Sequence, residues 1–552
     1  MRFKKGVFSK LTVAAVIVGA AGSLAACGGS GGSDTSTATT TAASGGSTTA
    51  ATTAASTTSA SSSGSSSSAG KILRIGELWA IDGIDPVSDG TLIKEKALVT
   101  EVLVEVNEKF ELLPGLAKKW ENKDENTWVF TLESGVKFHD GTDMDAEAVA
   151  WSINNTIEKN PTTQTSSKIS KAEATGTDEI TITTSEPNAE LPEFMHLSNF
   201  GIIAKSSYDS GGNMDIPIGT GPFKVKEFNS ATGAFSTERF EDYHGSASSI
   251  DGVYMTGMTD ANTRAMALES GEIDFTCDLP FNELDRLDAL DNVRVEKYDT
   301  ARVYNISLNC NDLFKEKDVR QATSLAIDRK TISEKVLNGC GTPSKNIFTE
   351  NMAWNDPDID ASGFDLEKAK SLMDQAGWKD TNGDGIRDKD GREFEFTLMT
   401  YTERPGLPLI AEAIQSQLKE LGMKVNVSTM DWSAMSERQK NGEWGMSMSG
   451  SATAMAPSSI YFLNNNYNSE KLAAIGYSNP EFDSLLAEAG KTFDTEARYE
   501  ISRKIQRLAM EELPLIYVCN YGVAYGFNEN VKNFKFNPTA HDYMWNTDIT
   551  IE

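Results

Sequence analysis

The chain has 552 residues, with 80 acidic and 51 basic side chains and a formal charge of −29. Such an acidic chain lacks the basic footprint that binds nucleic-acid phosphates, so we expect no nucleic-acid partner. A folded body of this length is too large for one hydrophobic core and implies two or three lobes.

The first 27 residues have the pattern of a secretory signal. Lys4 and Lys5 precede an apolar run over 7–21, and the segment ends in the letters LAAC at Cys27. A Cys in that position is typical of a bacterial lipoprotein signal, in which the Cys27 thiol accepts lipid and becomes the new N-terminus. The alternatives are an ordinary signal peptide with an accidental Cys, or a membrane anchor of barely sufficient length.

Residues 28–70 are predicted to be a disordered tether. They are almost entirely Gly, Ser, Thr and Ala, with one charge at Asp34, and such a composition cannot bury a core. A flexible coil of this length spans roughly 35 Å. We therefore expect a folded body that is lipid-anchored at the extracytoplasmic face of the cell membrane.

The body beyond residue 71 alternates predicted strands and helices. Alternating and β-branched residues predict strands at 72–76, 127–132, 179–183, 394–398 and 423–427. Apolar stripes that end near a glycine predict helices over 318–337, 366–376 and 410–421. The order strand, helix, strand between 394 and 427 is a βαβ unit, so the fold class is α/β with at least one parallel sheet.

The four cysteines of the body show neither CxxC nor metal-ligand spacing. They could form disulfides outside the cell or remain buried thiols. We favour buried thiols, because a body of this size needs no covalent staples. These cysteines are Cys277, Cys310, Cys340 and Cys519.

Motifs for catalysis are missing from the sequence. None of the four histidines stands in HExxH or in a metal-like spacing to a Cys, and there is no GxSxG. Gly490-Lys491-Thr492 resembles the end of a phosphate loop, but Leu485 replaces its first glycine. We therefore predict no enzyme and no cofactor, with a tethered hydrolase as the alternative that an assay would decide.

Residues 380–388, DTNGDGIRD, match the start of a calcium loop, with oxygens at positions 1, 3, 5 and 9. Gly391 stands where the bidentate Glu belongs, and a strand rather than a helix follows. This favours a turn rich in Asx and Gly residues, and a weak calcium site is the alternative.

Motifs spread over residues 71–540 resemble, in the right order, the large extracytoplasmic solute-binding proteins of peptide and nickel ABC importers. They are LPGLA at 113–117, VKFHDG at 136–141 with DAEAV at 145–149, IGTGPF at 218–223, VRQA and AIDR within 319–329, AGW at 376–378, NPEFD at 479–483 and ELPLIY at 512–517.

The resemblance implies a bilobal fold like the type II periplasmic binding proteins, with a hinge of two crossing strands and an extra inserted domain. On this chain lobe I would comprise 71–103, 216–300 and 520–552, the inserted domain 104–215, and lobe III 301–519. Solute would bind in the cleft, and the closed monomer would dock on permease subunits driven by cytoplasmic ATPases. A solute-sensing receptor for a membrane signalling protein is the alternative.

The resemblance leaves the solute open between a peptide and a metal chelate. Peptide binders usually carry an Asp near the equivalent of 449–463 that pairs with the peptide α-amino group, and Ala456 stands there. Nickel-chelate binders carry aromatic residues in that stretch and an Arg near 197–200. Residues 449–458 hold no aromatic side chain, and 197–200 hold no Arg.

Candidate ligand contacts lie at strand ends and at the predicted hinge, where such folds meet their ligands. Arginines there could clamp a carboxylate and aromatic rings could stack on a solute; the alternative for each is a core Trp or a surface Arg. We expect the solute to present a carboxylate to Arg302 or Arg404. The ligand-binding candidates are Trp79, Arg302, Tyr304, Tyr401, Arg404, Trp432 and Met455.

Overall fold

A ten-stranded mixed sheet runs through residues 70–552, the part of the chain that the computed structural model describes. The predicted signal segment with Cys27, and the predicted tether up to residue 69, lie outside the described residues. Within 70–552, none of the helices combines the length and the apolar character needed to cross a bilayer.

Twenty strands are present in 70–552. They are β1 (Ile72–Glu77), β2 (Val104–Val106), β3 (Leu112–Pro114), β4 (Ala117–Asp124), β5 (Thr127–Leu132), β6 (Ile169–Ala174), β7 (Glu179–Thr184), β8 (Phe223–Asn229), β9 (Ala234–Arg239), β10 (Gly252–Gly257), β11 (Phe275–Cys277), β12 (Val293–Leu308), β13 (Asp388–Lys389), β14 (Arg392–Glu393), β15 (Glu395–Tyr401), β16 (Lys424–Met430), β17 (Met446–Ala452), β18 (Leu515–Asn528), β19 (Val531–Lys532) and β20 (Thr550–Ile551).

Fourteen α-helices accompany them in the same range. They are α1 (Ala146–Lys159), α2 (Pro161–Ser167), α3 (Leu191–Phe194), α4 (Ala261–Ser270), α5 (Leu284–Asp288), α6 (Lys317–Leu325), α7 (Arg329–Thr331), α8 (Leu366–Gln375), α9 (Gly406–Glu420), α10 (Trp432–Lys440), α11 (Tyr461–Tyr467), α12 (Ser469–Ala474), α13 (Pro480–Gly490) and α14 (Thr495–Glu512). Two π-helical turns at Thr91–Lys96 and Ile332–Val336, and 3₁₀ turns at Ser198–Phe200 and Lys205–Ser207, complete the helical elements.

The long strands β12 and β18 are antiparallel neighbours at the middle of the large sheet, whose order is β16-β15-β17-β12-β18-β11-β1-β10-β9-β8. Their pairing shifts register between Asp299 and Val303. We call β11, β1, β10, β9 and β8 the first half-sheet, and β17, β15 and β16 the second half-sheet. β18 is buried along almost its whole length, as expected for a strand covered on both faces. The α/β class with two lobes joined by two crossing strands is confirmed.

The βαβ prediction is confirmed in the second half-sheet, where β15 and β16 pair in parallel and α9 connects them. The helix buries Ile410, Ile414 and Leu418 of the predicted apolar stripe, and it also buries Leu407, which precedes the predicted helix. Gly422 follows at a φ of +84°, a conformation that Gly adopts without a steric penalty.

The prediction of a single helix over 318–337 is wrong, because the chain breaks after α6 and restarts at α7. The Asp328 carboxylate accepts the Thr331 N–H at 3.0 Å and begins the second helix. The Arg329 guanidinium donates to the carbonyls of Ser324 and Ile327, so this side chain bridges the break between the two helices. The apolar periodicity continues across the break because both pieces pack on the same core.

A four-stranded antiparallel sheet, in the order β4-β5-β7-β6, forms a separate body beside the large sheet. The alternating burial of β7 fits a sheet with one covered face. Its apolar core comes from residues between 103 and 204 and from Ala456. This is the extra domain; the residue boundaries given for it and for the two lobes stay predictions.

The four cysteines of 70–552 are buried and unpaired, which confirms the preference for buried thiols. Burial raises the pKa of the Cys519 thiol to about 12, so this group is an unreactive part of the core.

Candidate functional site

Six buried ionised side chains meet between the two half-sheets, three acidic and three basic. Each residue is 5% exposed or less. Charged groups are seldom buried this completely unless they are paired, so the cluster marks a site with a specific role. We call these residues the interlobe ion cluster: Glu77, Lys96, Asp278, Arg302, Arg404 and Asp542.

Strand ends supply half of this cluster. Glu77 is the last residue of β1, Asp278 follows β11, and Arg404 follows β15 on the opposite half-sheet. Arg302 lies on the crossing strand β12. The carboxyl ends of parallel strands are where open α/β sheets place their ligands. The cluster therefore occupies the position that this kind of sheet uses for binding.

Asp542 is the centre of the cluster. Its Oδ1 accepts hydrogen bonds from Arg404 Nη2 at 2.5 Å and Arg302 Nη2 at 3.2 Å. Its Oδ2 accepts from Lys96 Nζ at 2.9 Å and Trp79 Nε1 at 3.1 Å. Burial would raise the pKa of Asp542, but the surrounding cations, Lys96 foremost, hold that pKa well below its usual range. Asp542 is therefore an anion that is fully coordinated by the protein itself.

Asp278 joins the half-sheets in the same way. It accepts Arg404 Nη1 at 2.9 Å and the Tyr521 hydroxyl at 2.5 Å. Its backbone has a φ of +52°, in the left-handed region that non-Gly residues rarely adopt. Such strain is held only where the surrounding contacts determine the conformation, and here they aim the carboxylate at Arg404.

Lys96 is presented by the π-helical turn Thr91–Lys96. Its Nζ donates to Glu77 Oε1 at 2.7 Å, and the other Glu77 oxygen accepts the Tyr543 hydroxyl at 2.8 Å. Burial by itself would lower the pKa of Lys96, but the Asp542 and Glu77 carboxylates outweigh it and raise that pKa. Turns of this type occur often at functional sites, and this one places a lysine in the core.

Glu95, the residue before Lys96, links three parts of the chain. Its carboxylate accepts the Ser198 hydroxyl at 2.6 Å and the backbone N–H of His541 at 2.8 Å. Burial raises the pKa of this carboxyl group. The contact ties the inserted domain to the C-terminal segment that carries Asp542.

Aromatic rings enclose the arginines. The Arg404 guanidinium lies 5.5 Å from the centre of the Trp79 ring and 5.3 Å from that of Tyr521. Tyr304 packs against Tyr521 with ring centres 4.6 Å apart. Cation–π contacts of this kind stabilise a desolvated guanidinium group, so the rings and carboxylates together hold Arg404 in place.

Four of the seven predicted ligand-binding residues converge at this site: Trp79, Arg302, Tyr304 and Arg404. Arg302 and Arg404 are each 2% exposed, so the surface-arginine alternative is wrong for both. The carboxylate beside them is that of Asp542 in the chain itself, whereas the sequence predicted a carboxylate from a solute.

The other three candidates lie outside the ion cluster. Tyr401 accepts the Gly450 N–H at 3.2 Å and meets Trp432 edge to face at 5.1 Å between ring centres. Trp432 is 47% exposed at the start of α10. Met455 packs against the core of the inserted domain. Their role in binding stays a prediction, and Cys27 lies outside the described residues.

Sequence reasoning missed Glu77, Lys96, Asp278, Tyr521 and Asp542. The available signal was position: Asp278 follows the buried strand β11, and Asp542 stands between His541 and the run Tyr543-Met544-Trp545. A charged residue at the end of an apolar strand or inside an aromatic segment is a candidate for a buried functional group.

A cavity of about 160 Å³ borders the cluster. The volume corresponds to roughly five water molecules, and the Nδ1 atom of His541 is buried beside it without a hydrogen-bond partner in 70–552. A groove of about 1050 Å³ lies elsewhere, along Thr300, Ala301 and Asn520 of the crossing strands. We take the smaller cavity as the candidate site because the strand ends and buried charges converge on it. Its wall is formed by Glu77, Trp79, Ala80, Ile81, Asp89, Thr91, Leu92, Lys96, His541 and Asp542.

The family model, the similar sequences and the solved structure all point to solute-binding proteins. The family model "Bacterial extracellular solute-binding proteins, family 5 Middle" matches residues 111–473. The oligopeptide-binding protein AppA of Bacillus subtilis is 28% identical over 490 residues, 85% of this chain and 89% of that protein. The nickel-binding protein NikA of Staphylococcus aureus is 26% identical over 489 residues, 88% and 95% of the two chains. The crystal structure of NikA from Staphylococcus aureus in complex with Ni(L-His)2 superposes with a TM-score of 0.76 at 25% identity, over 88% of this chain and all of that one.

Proposed function

Because the chain belongs to the bacterial extracellular solute-binding proteins of family 5, we propose that it is the solute receptor of an ABC importer. In this proposal it binds a peptide-like solute or a metal chelate between its lobes and delivers it to the permease. The observation that carries the proposal is the cavity that borders the interlobe ion cluster, bounded by Trp79, Lys96 and Asp542. The chain acts by binding and release and carries out no chemical step.

Closure of the lobes would complete the site by bringing together groups from both half-sheets. Arg404 belongs to the second half-sheet, while Asp278 follows a strand of the first, and their contact spans the two. Opening about the crossing strands β12 and β18 would separate these groups and expose the cavity. Hinge closure around a solute is the usual mechanism of binding proteins with two lobes. Since about 160 Å³ holds only a small group, a peptide or a chelate requires a more open arrangement.

The solute is best identified from the protein itself. We expect mass spectrometry of the purified full chain under native conditions to detect a co-purified peptide or chelate. Calorimetry with dipeptides, longer peptides and nickel–histidine would then rank these solutes. Simple dipeptides should bind weakly, because Ala456 is buried in an apolar core and offers no carboxylate to an α-amino group. Failure of every peptide and chelate to bind would contradict the proposal, as would turnover of a peptide.

We also propose that Cys27 anchors the protein by its lipid. Cys27→Ser removes the thiol that accepts the lipid, so the protein should move from the membrane fraction to the soluble fraction. Ser30→Ala, three residues further along, is the matched control and should stay with the membrane. A Cys27→Ser chain that remains fully membrane-bound and normally processed would show that the anchor lies elsewhere.

A further inference from the structure

Asp542 lies between two arginines at the position expected of a solute carboxylate. Its Oδ1 contacts both Arg302 and Arg404, and both guanidinium groups are shielded from solvent. Because the six members of the interlobe ion cluster carry three positive and three negative charges, no cation is left over for an incoming anion.

The C-terminal segment holds this carboxylate in a fixed position. The Tyr525 hydroxyl donates to the Asp542 carbonyl at 2.8 Å. Next to it, the Tyr543 hydroxyl donates to Glu77 at 2.8 Å, and Trp545 Nε1 donates to the Lys96 carbonyl at 3.0 Å. The segment is thus fastened at Asp542 and just beyond it, to β18, to β1 and to the π-helical turn that carries Lys96. A preorganised carboxylate competes with a free one at no further entropic cost.

We propose that Asp542 is a specificity residue: a built-in carboxylate that closes Arg302 and Arg404 to the anionic groups of a solute and joins the two half-sheets in the closed arrangement. The consequence for solute choice rests on the proposed function. A solute would then bind through the Trp79 and His541 side of the cavity, with its charge satisfied elsewhere.

Removal of the Asp542 side chain tests this directly. In Asp542→Ala the cluster would keep three cations against two anions, and the hole beside the cavity would have the size of a carboxylate. A small carboxylate should therefore bind between the arginines and replace the missing group. Acetate is the probe, compared with chloride at equal ionic strength in the full-length chain.

We expect acetate to raise the melting temperature of Asp542→Ala in a saturable manner, by about 1–2 °C. Small-angle scattering should show a larger radius of gyration for the variant in chloride and a smaller one in acetate. The wild-type chain and Asp548→Ala should not respond to acetate. Asp548 lies in the same segment, but it forms an exposed pair with Lys535.

Each outcome decides the matter. Acetate effects of equal size in the wild type, or none in a folded Asp542→Ala, would overturn the proposal. If Asp542→Ala is unfolded in chloride, acetate should restore its folding, and a chain that stays unfolded in acetate overturns the proposal too. Asp542→Asn, which keeps the shape of the side chain and loses its charge, should lose the joining of the lobes without gaining the acetate site. Because acetate replaces the Asp542 carboxylate and not a solute, a failed solute search would leave the acetate result intact and count only against the proposed function.

Discussion

The chain gathers carboxylates in two contrasting places, the interlobe ion cluster and the turn at 380–388. In the turn, Asp380 accepts the N–H groups of Gly383 at 2.6 Å and Gly385 at 3.0 Å, all within six residues. In the cluster, Asp542 accepts from Trp79, which is 463 residues away along the chain. The turn is exposed and satisfied by its own backbone, whereas the cluster is buried and joins distant elements. The calcium-like spacing of the turn therefore says less about function than the burial of the interlobe ion cluster does.

The largest expected effect is the loss of a cation from the cluster. Arg404→Met leaves Asp278 and Asp542 short of a buried partner, which should cost about 3–5 kcal/mol of unfolding free energy. Arg392→Met is the matched control, because Arg392 forms an exposed pair with Asp312 and should cost less than about 1 kcal/mol. Urea unfolding of both variants measures the difference. Equal losses would remove the contrast between buried and exposed ion pairs.

A third acidic site is buried like the interlobe ion cluster but has fewer cations than acids. Glu190 and Glu193 share one buried arginine, Arg498, at 2.9 Å and 3.6 Å. Burial and the neighbouring Glu190 charge raise the pKa of Glu193 to about 8. Here the acids outnumber the cations, whereas Asp542 has three cations around it.

The folded-state pKa of Glu193 lies above the unfolded value of about 4.3. The folded protein therefore holds the Glu193 proton more tightly than the unfolded chain does. The contribution of this proton to stability is full below about pH 4.3 and is lost as the pH rises through about 8. Glu193→Gln should therefore be more stable than the wild type at pH 8, with a gain that shrinks towards pH 5. Thermal unfolding across this range tests it; a gain independent of pH would contradict the shift.

A smaller effect is expected from the hydroxyl groups. Tyr521→Phe removes the buried hydrogen bond to Asp278 and should cost about 1.5–3 kcal/mol, as hydrogen bonds to charged groups do. Tyr298→Phe removes a partly exposed hydroxyl that donates to Glu296 and should cost about 0.5 kcal/mol or less. Denaturant midpoints of the two variants give the comparison, and a reversed order would contradict it.

Local elements were predictable from the sequence, and the ion cluster was not. The strand 127–132 and the parallel unit of β15, α9 and β16 follow from side-chain periodicity, which short segments contain in full. The contact between Arg404 and Asp542 depends on how the two half-sheets lie relative to each other. No residue spacing within one segment predicts that arrangement. The helix over 318–337 was mispredicted for a related reason: its apolar period continues through the break at Asp328.

The smallest expected effect concerns the turn. Both oxygens of Asp388 accept from Thr381, the backbone N–H at 2.9 Å and the hydroxyl at 2.7 Å. Asp388→Asn should cost less than about 1 kcal/mol, because the partners are local and water can replace them. Thermal unfolding measures the loss, with Asp542→Asn as the contrasting buried variant.

The same turn tests whether a calcium-like spacing is enough for binding. Calcium needs six to eight oxygen ligands, and the Asp380 and Asp388 oxygens already accept hydrogen bonds from the loop itself. We therefore expect the melting temperature in millimolar calcium to equal the melting temperature in millimolar magnesium. A saturable rise that calcium alone causes, and that Asp388→Asn abolishes, would establish a calcium site. The exposed carboxylates would then have a role as specific as that of the buried ones, and the contrast between the two regions would rest on the ligand they take rather than on their burial.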